Sequence, residues 1–323
     1  MKRMIICALT GLSMMGGAAI AEDFKPTKPV ELVVHTGPGG GNDAFARGVL
    51  NALRRANELD VNFVVVNKAG GGSTSAMNYL REKTGDSHTI ALYSSVWVTD
   101  GLVQEAAKTT LDDLTPIAGM VLEPALVVVK ADSPYQTLSD FIKAAQAAPG
   151  KLKQSGGSVT ARDAVVRYVL MNKTGAEWSF VSFPGGGERV SALLGGHVDM
   201  MIIEPSEAGE LIRAGRIRAV AQVSDKRIEG FEDVPTIKEA GFDIPNVPQQ
   251  RGLVGPPDMP AEAVKFYADL MKSWSEKPAY ADYLKLTHLD NAYVSSSDLG
   301  QFFSDYTKLL REILQNAGVK IVR

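Results

Sequence analysis

The sequence has little of the residues that build disulfides and metal sites. Among 323 residues it has one cysteine, Cys7, and four histidines. A single cysteine excludes an intrachain disulfide and a cysteine-ligated zinc site. No lysine- or arginine-rich block occurs, and 34 basic against 37 acidic residues give a net charge of −3. The chain therefore lacks the electrostatic footprint of a nucleic-acid-binding protein.

Common enzyme motifs are absent too. The sequence has no G-x-S-x-G elbow, no H-E-x-x-H metal motif and no G-x-x-x-x-G-K-[ST] loop. One G-x-G-x-x-A match spans residues 39–44, but the next predicted strand ends in Asn67-Lys68, without the acidic residue that a dinucleotide ribose needs. Each histidine is isolated, and His35 is interpreted as a strand-end histidine rather than a base. We expect no catalysis, no cofactor and no metal.

The first 21 residues have the layout of a secretory signal peptide. Lys2 and Arg3 precede an uncharged stretch over residues 4–20, and Ala19-Ile20-Ala21 is a small-x-small cleavage signal. Cleavage there removes 21 of 323 residues and two positive charges, leaving 302 residues, a net charge of −5 and no cysteine. An uncleaved N-terminal anchor is the alternative. No later segment approaches eighteen apolar residues.

Apolar runs alternate with amphipathic segments after this start. Residues 30–36, 61–66 and 88–94 are predicted to be strands, and helices follow the glycine loops after the first two. The alternation predicts an α/β fold with a largely parallel sheet. The C-terminal part differs, with a proline-rich segment over residues 235–260, a possible strand over 250–254, and long helices.

Four predicted strand-to-helix junctions carry glycines. They are Gly37 to Asn42, Gly70 to Ser73, Gly156 to Ser158, and Gly185 to Gly187. Glycine lets a ligand approach the backbone, and the following helix N-terminus offers unpaired N–H groups to an anion. Each loop alone could be a tight turn without a ligand. Two facing lobes would bring all four to one cleft, because ligands bind beyond the carboxyl ends of the strands.

Charged and hydroxyl residues near these loops are further candidates. If Ser158 caps its helix, Arg162 lies near the first turn. A cation there opposes the helix dipole, so either Asp163 or a bound anion is needed to offset its charge. Arg251 is a second candidate clamp for a carboxylate. Glu204 is either an acid in the cleft or the partner of an arginine. Ser94 either donates to a ligand or caps a helix.

Short motifs in a fixed order carry a family resemblance. They are Pro38-Gly39-Gly40-Gly41-Asn42-Asp43 with Ala46-Arg47, Asn67 with Gly70-Gly71-Gly72, Gly157-Ser158, Phe183-Pro184-Gly185-Gly186-Gly187, residues 193–199 (LLGGHVD), residues 214–218 (AGRIR), and Val234-Pro235-Thr236 with Glu239-Ala240-Gly241. In this order the chain resembles the substrate-binding proteins of tripartite tricarboxylate transporters, the Bug-type receptors of the bacterial periplasm.

The resemblance implies an α/β, two-lobed type II periplasmic binding protein with a ligand cleft between lobes. Residues 22–125 and 248–323 would form the first lobe, and residues 126–247 the second. A monomeric periplasmic receptor would capture a small organic carboxylate and deliver it to membrane permease subunits. The predicted ligand-binding residues are Thr36, Gly39, Gly40, Asn42, Asp43, Gly71, Gly72, Ser73, Ser94, Ser158, Thr160, Arg162, Phe183, Gly185, Gly186, Glu204 and Arg251.

Departures from the family pattern bear on the ligand. Many members have lysine where Pro184 stands, histidine where Ala161 stands, and tryptophan in the strand that carries Arg251. Two arginines near the cleft suggest a ligand with more than one carboxylate, a di- or tricarboxylate such as a citrate-like acid. Two other functions stay open: a receptor that docks on a sensor protein, and an exported serine hydrolase using Ser94 or Ser158.

Overall fold

The computed structural model describes residues 24–183 and 185–323. The predicted signal peptide over residues 1–21, with Cys7, lies outside them. In chain order the strands are β1 (Val30–Val34), β2 (Phe63–Asn67), β3 (Thr89–Tyr93), β4 (Thr115–Leu122), β5 (Ala125–Lys130), β6 (Lys153–Gly156), β7 (Ser179–Ser182), β8 (Met200–Ile203), β9 (Ile217–Val223), β10 (Gln250–Gly255) and β11 (Asp290–Val294).

Most strands are separated by helices. In chain order these are α1 (Gly41–Arg55), α2 (Thr74–Glu82), α3 (Ser95–Val103), α4 (Leu138–Ala147), α5 (Arg162–Thr174), α6 (Gly186–Leu194), α7 (Pro205–Arg213), α8 (Ala261–Ser275), α9 (Pro278–Thr287) and α10 (Ser296–Asn316). Local sequence sets several ends. Thr137 and Asp140 form a capping box on α4, and α5 stops where Gly175 adopts a left-handed conformation with φ of 67°.

The strands form two sheets. The first has the order β11-β4-β10-β3-β1-β2, with β1 parallel to both β2 and β3 and with β10 antiparallel to β3 and β4. The second has the order β7-β6-β8-β5-β9, with β6 parallel to β7 and β8 and with β5 antiparallel to β8 and β9. This mixed α/β architecture with two sheets is the two-lobed fold that the sequence predicts. Both sheets combine parallel and antiparallel pairs, so the prediction of a largely parallel sheet is wrong.

The chain passes between the sheets twice. It leaves the first sheet through Glu123-Pro124, between β4 and β5, and returns through residues 224–249, between β9 and β10. The Glu123 amide donates to the carbonyl oxygen of Gln249 at 2.8 Å, so the two crossing segments are hydrogen-bonded to each other. The exact lobe boundaries, at residues 125/126 and 247/248, stay a prediction.

One hydrophobic cluster is shared by the two sheets. Tyr93 of β3 and Val127 of β5 both belong to it, as does Phe303 of α10. Helix α10 packs against β4, α3 and α5, so the C-terminal helix contacts both lobes. The outer faces of the two sheets carry separate clusters. Strands covered on both faces read as nearly continuous apolar runs, which is why β1 and β3 were predictable.

Candidate functional site

A cavity of about 410 Å³ lies between the two sheets, at the carboxyl ends of β1, β3, β6 and β8. We call it the interlobe cavity. It is lined from the first lobe by residues 35–37, 41–42, 69–72, 94, 96 and, on β10, 251. From the second lobe it is lined by residues 157–159, 161–163, 182, 189, 202 and 204, and from the returning crossing by residue 249. Among the predicted residues that line it are Thr36, Asn42, Gly71, Gly72, Ser94, Ser158, Arg162, Glu204 and Arg251.

Other predicted residues lie beside the cavity without lining it. They are Gly39, Gly40, Asp43, Ser73, Thr160, Phe183, Gly185 and Gly186. The Asp43 carboxylate accepts from the Gly39 amide at 2.9 Å, from Asn67 at 2.9 Å and from Arg47 at 3.0 Å, and these donors lower its pKa against the effect of burial. Asp43 thus holds the loop before α1 in place.

Ser73 and Thr160 also have structural partners. The Ser73 hydroxyl donates to the buried Asp100 carboxylate at 2.6 Å, and the Ser73 amide donates to the same oxygen at 2.5 Å. The Thr160 hydroxyl bonds to the Ser158 hydroxyl at 2.8 Å, while its carbonyl oxygen accepts from Thr99 at 2.5 Å. The Thr99–Thr160 bond joins α3 of the first lobe to the second lobe.

The first turns of several helices lie at the interlobe cavity. Helix α1 begins at Gly41, α3 at Ser95 and α5 at Arg162, and each start belongs to or adjoins the cavity lining. The first amides of a helix have no partner inside it and carry partial positive charge. The cap of α5 is Ala161 rather than Ser158, and Arg162 is the first residue of the helix, within the first turn where the sequence analysis placed it. Ser158 instead lies in the turn before it.

The two predicted arginine clamps are already paired with carboxylates. Arg251 Nε donates to Glu123 Oε2 at 2.8 Å, and its Nη1 donates to the Asn42 side-chain oxygen at 2.5 Å. Arg162 Nη2 donates to Glu204 Oε1 at 3.1 Å, and its Nη1 donates to the Glu123 carbonyl oxygen. Both arginine side chains are 3 % exposed. Both arginines thus reach the cavity with a carboxylate partner already in place, and their role as clamps for a ligand carboxylate stays a prediction.

A third buried pair completes this ionic network. Arg189 lies 3.5 Å from Asp163, and both residues line the interlobe cavity. Burial opposes ionisation of Glu204, but the charges of Arg162, Arg189 and Arg251 together outweigh it and lower the pKa of that carboxyl. The three arginines are thus each paired with a carboxyl group, those of Glu123, Asp163 and Glu204. Burial raises the pKa of Glu123 and of Asp163, against the attraction of Arg251 and Arg189.

Glu207, on the first turn of α7, is a carboxyl of a different kind. Burial, followed by the negative charge of Glu204, raises its pKa to about 8. Glu207 is therefore protonated at neutral pH and leaves the charge balance of the network unchanged. The sequence analysis did not select it, because nothing in the PSEAGEL segment distinguishes a buried carboxyl from an exposed one.

His35, which the sequence analysis set aside, lines the cavity. The Asn42 side-chain amide donates to its Nδ1 at 2.9 Å, and Trp97 Nε1 donates to the same atom at 3.0 Å. Burial, with the charge of Arg251 as a smaller cause, lowers the pKa of His35 to about 3. Its position at the end of β1, one residue before Thr36, was the signal that could have placed it in the site.

A serine hydrolase is not supported by the hydroxyls in the cavity. Ser94 occupies the N-cap position of α3 without a side-chain cap hydrogen bond, and the Ser158 hydroxyl bonds to Thr160. Within residues 24–183 and 185–323, no hydrogen bond joins either serine to a histidine. In the same residues no group of three His, Cys, Asp or Glu side chains could hold a metal ion. Nor is any helix described there long and apolar enough to cross a membrane.

The loop before α6 contacts the opposite lobe across the mouth of the cavity. A Cβ added to Gly186 would lie 2.9 Å from the Gly39 carbonyl oxygen, and one added to Gly185 would lie 3.7 Å from that of Pro38. These predicted ligand-binding glycines thus allow close approach of the lobes. The adjacent Gly187 has open space around its Cβ position.

Gly186→Ala is expected to oppose this approach and to weaken ligand binding about 5- to 150-fold, since overpacking costs about 1–3 kcal/mol. The free energy of unfolding should change less than the binding, because the lobes can separate slightly and the second close contact, Glu207 Oε2 at 3.1 Å, is the end of a side chain. Gly187→Ala, one residue along the same helix, is the matched control. Equal ligand affinities of the two variants, measured by titration calorimetry, would show that the contact does not govern closure.

The two-lobed fold with a cavity between its sheets is that of periplasmic solute-binding proteins. The profile of the tripartite tricarboxylate transporter family receptor matches residues 46–319, and the chain belongs to this family. It is 28 % identical over 313 residues to the "UPF0065 protein in gbd 5'region" of Cupriavidus necator, covering 97 % of this chain and 94 % of that one.

Two solved structures share the fold. The structure of the periplasmic binding protein BugD has a TM-score of 0.84 and 21 % identity, with 92 % of this chain and 99 % of that chain covered. R. palustris Rpa4515 with adipate has a TM-score of 0.84 and 23 % identity, with 91 % and 98 % covered.

Proposed function

We propose that this protein is a periplasmic receptor that captures a small organic carboxylate in the interlobe cavity and delivers it to the membrane permease of a tripartite tricarboxylate transporter. Membership of the receptor family supports the transport role. The observation that carries the ligand class is the meeting of the α1, α3 and α5 N-termini at one cavity. Their unpaired amides bind an anion without a basic side chain.

The charge balance refines the ligand class. Arg162, Arg189 and Arg251 each have a carboxylate partner, so the cavity offers no surplus side-chain cation. What remains is the partial positive charge of about one-half per helix N-terminus. That suits an acid with one or two carboxylates. The argument for a citrate-like ligand, which rested on two arginines near the cleft, is weakened because each of them already has a carboxylate partner.

Thermal unfolding in the presence of a matched set of acids tests both that the ligand is a carboxylate and that it carries one or two carboxylates. Butyrate, glutarate and tricarballylate share a three-carbon chain and differ in the number of carboxylates; adipate extends the set. A ligand that binds only the folded protein, at 100 times its Kd, adds about 2.7 kcal/mol of stability. We expect a raised Tm with an acid of one or two carboxylates and less with tricarballylate.

Other outcomes would count against parts of the proposal. A larger shift with tricarballylate than with the smaller acids would contradict the charge argument. No shift with any acid would contradict carboxylate capture. Ester turnover that Ser94→Ala or Ser158→Ala abolishes would favour the hydrolase.

Delivery to a permease is tested in the native host. Deleting the gene for this chain should abolish uptake of the stabilising acid in radiolabelled form, and the wild-type gene should restore it. Intact uptake together with a lost transcriptional response to that acid would favour docking on a sensor protein instead.

A further inference from the structure

His35 has a side chain whose two nitrogens face different surroundings. Nδ1 faces the protein interior, where Asn42 Nδ2 lies at 2.9 Å and Trp97 Nε1 at 3.0 Å. Trp97 is fully buried and Asn42 is 1 % exposed. His35 itself is partly exposed and lines the interlobe cavity. Because the Nδ1 edge is covered, the exposed part of the ring is the opposite edge, which carries Nε2.

The hydrogen-bond network fixes which nitrogen carries the proton. Indole Nε1 can only donate, so Nδ1 of His35 has to accept from Trp97. The orientation of the Asn42 amide is fixed as well, because its oxygen accepts from Arg251 Nη1 and its nitrogen also donates to the Leu92 carbonyl oxygen at 2.7 Å. Two donors therefore converge on Nδ1. Its lone pair is occupied, and a neutral ring must carry its proton on Nε2.

We propose that His35 is a specificity-determining residue of this site: a neutral imidazole whose Nε2–H donates a hydrogen bond to an oxygen of the bound carboxylate. Among the described residues no acceptor bonds to Nε2. The inference rests on the proposed function, because it names a contact of the same ligand. Asn42 and Trp97 are positioning residues, since they fix the ring and its tautomer.

A neutral donor has a consequence for selectivity. The three arginines are each paired with a carboxyl group, so a cationic histidine would add a surplus side-chain charge in the cavity. With His35 neutral, the site recognises a ligand oxygen by the direction of the Nε2–H hydrogen bond rather than by the attraction of a full positive charge. Protonation at Nδ1 would force two N–H donors against a third, and the ring therefore stays neutral across the pH range in which an ordinary histidine titrates.

NMR of the full mature chain labelled with ¹⁵N-histidine tests the tautomer without a ligand. The His35 signals are assigned by their loss in His35→Gln. We expect an unprotonated Nδ1 and a protonated Nε2 that stay unchanged between about pH 5 and pH 8, while an ordinary histidine titrates there. A His35 ring that titrates within this range, or that carries its proton on Nδ1, would overturn the inference.

The ligand contact is tested by adding butyrate, glutarate, tricarballylate and adipate in turn. An acid that raises Tm should shift the His35 Nε2–H signal, while His88, His197 and His288, which do not line the cavity, act as internal controls. A stabilising acid that leaves the Nε2–H signal unmoved would overturn the role of His35 alone. No stabilisation by any acid would overturn the proposed function and, with it, this contact.

Variants of His35 and Trp97 separate the hydrogen bond that His35 donates to the ligand from the structural support that holds its ring. A glutamine can offer one acceptor and one donor, so His35→Gln should keep affinity for the stabilising acid within about threefold. His35→Leu removes both groups, and losing one neutral hydrogen bond predicts a loss of roughly 2- to 12-fold. In Trp97→Phe the ring keeps only the Asn42 donor, and its pH titration should move toward the ordinary range. An unchanged titration in Trp97→Phe would exclude Trp97 as a positioning residue.

Discussion

Glu123→Ala is expected to lower the free energy of unfolding by about 3–5 kcal/mol, the usual cost of removing one partner from a buried ion pair. The Glu123 carboxylate accepts from Arg251 at 2.5 Å and from Gln249 at 2.5 Å, and the residue is 6 % exposed. Its loss leaves the Arg251 guanidinium buried with only the Asn42 side-chain oxygen as a partner. Urea unfolding measures the change.

Two comparisons show whether charge is the cause. Glu123→Ala combined with Arg251→Met removes the stranded cation, and the double variant should be more stable than Glu123→Ala alone. Glu210→Ala breaks an exposed pair with Arg213, whose side chains are 86 % and 66 % exposed, and should cost less than about 1 kcal/mol. A Glu123→Ala protein no less stable than Glu210→Ala would contradict the importance of this pair.

Glu207→Gln is expected to remove a large part of the pH dependence of stability. In the folded protein Glu207 keeps its proton up to about pH 8, whereas in the unfolded chain it releases it near its ordinary pKa of 4.5. Between these values the folded state binds more protons. The contribution of Glu207 is therefore complete below the lower pKa and is lost as pH rises through the upper one. The slope is at most about 1.4 kcal/mol per pH unit.

Unfolding free energies between about pH 5 and pH 8 test this expectation. Relative to the wild type, Glu207→Gln should lose stability less steeply as pH rises, because glutamine does not titrate. Glu210→Gln, an exposed position on the same helix, is the control and should follow the wild type. Parallel curves for Glu207→Gln and the wild type would show that burial and the negative charges of Glu204 and Glu123 do not hold the proton on Glu207.

The local sequence pattern predicted the α/β alternation and three of the glycine loops that reach the cavity. These features were predictable because strand ends and helix starts are marked by residues close together in the sequence. It did not predict α3, since residues 95–102 of that helix are all buried and show no amphipathic period. It also did not predict β4, which precedes the first crossing.

The ionic network was predicted only at Glu204, which the sequence analysis offered as the partner of an arginine; the other pairs were missed for a different reason. Glu123 and Arg251 are 128 positions apart, and Arg162 and Glu204 are 42 apart, so the pairing depends on the folded topology. The sequence suggested arginines near the cleft but could not show that each already has a partner. A single charged residue inside the apolar run of residues 120–129 was the one visible hint of Glu123.

Mass spectrometry of the compound released from natively purified protein tests carboxylate capture most directly. We expect the wild type and Gly187→Ala to release the same small organic acid, with one or two carboxylates, at close to one molecule per chain. Gly186→Ala, in which the lobes cannot approach fully, should release less. A released compound without a carboxylate, or equal amounts from all three proteins, would contradict the capture of a small acid between closing lobes.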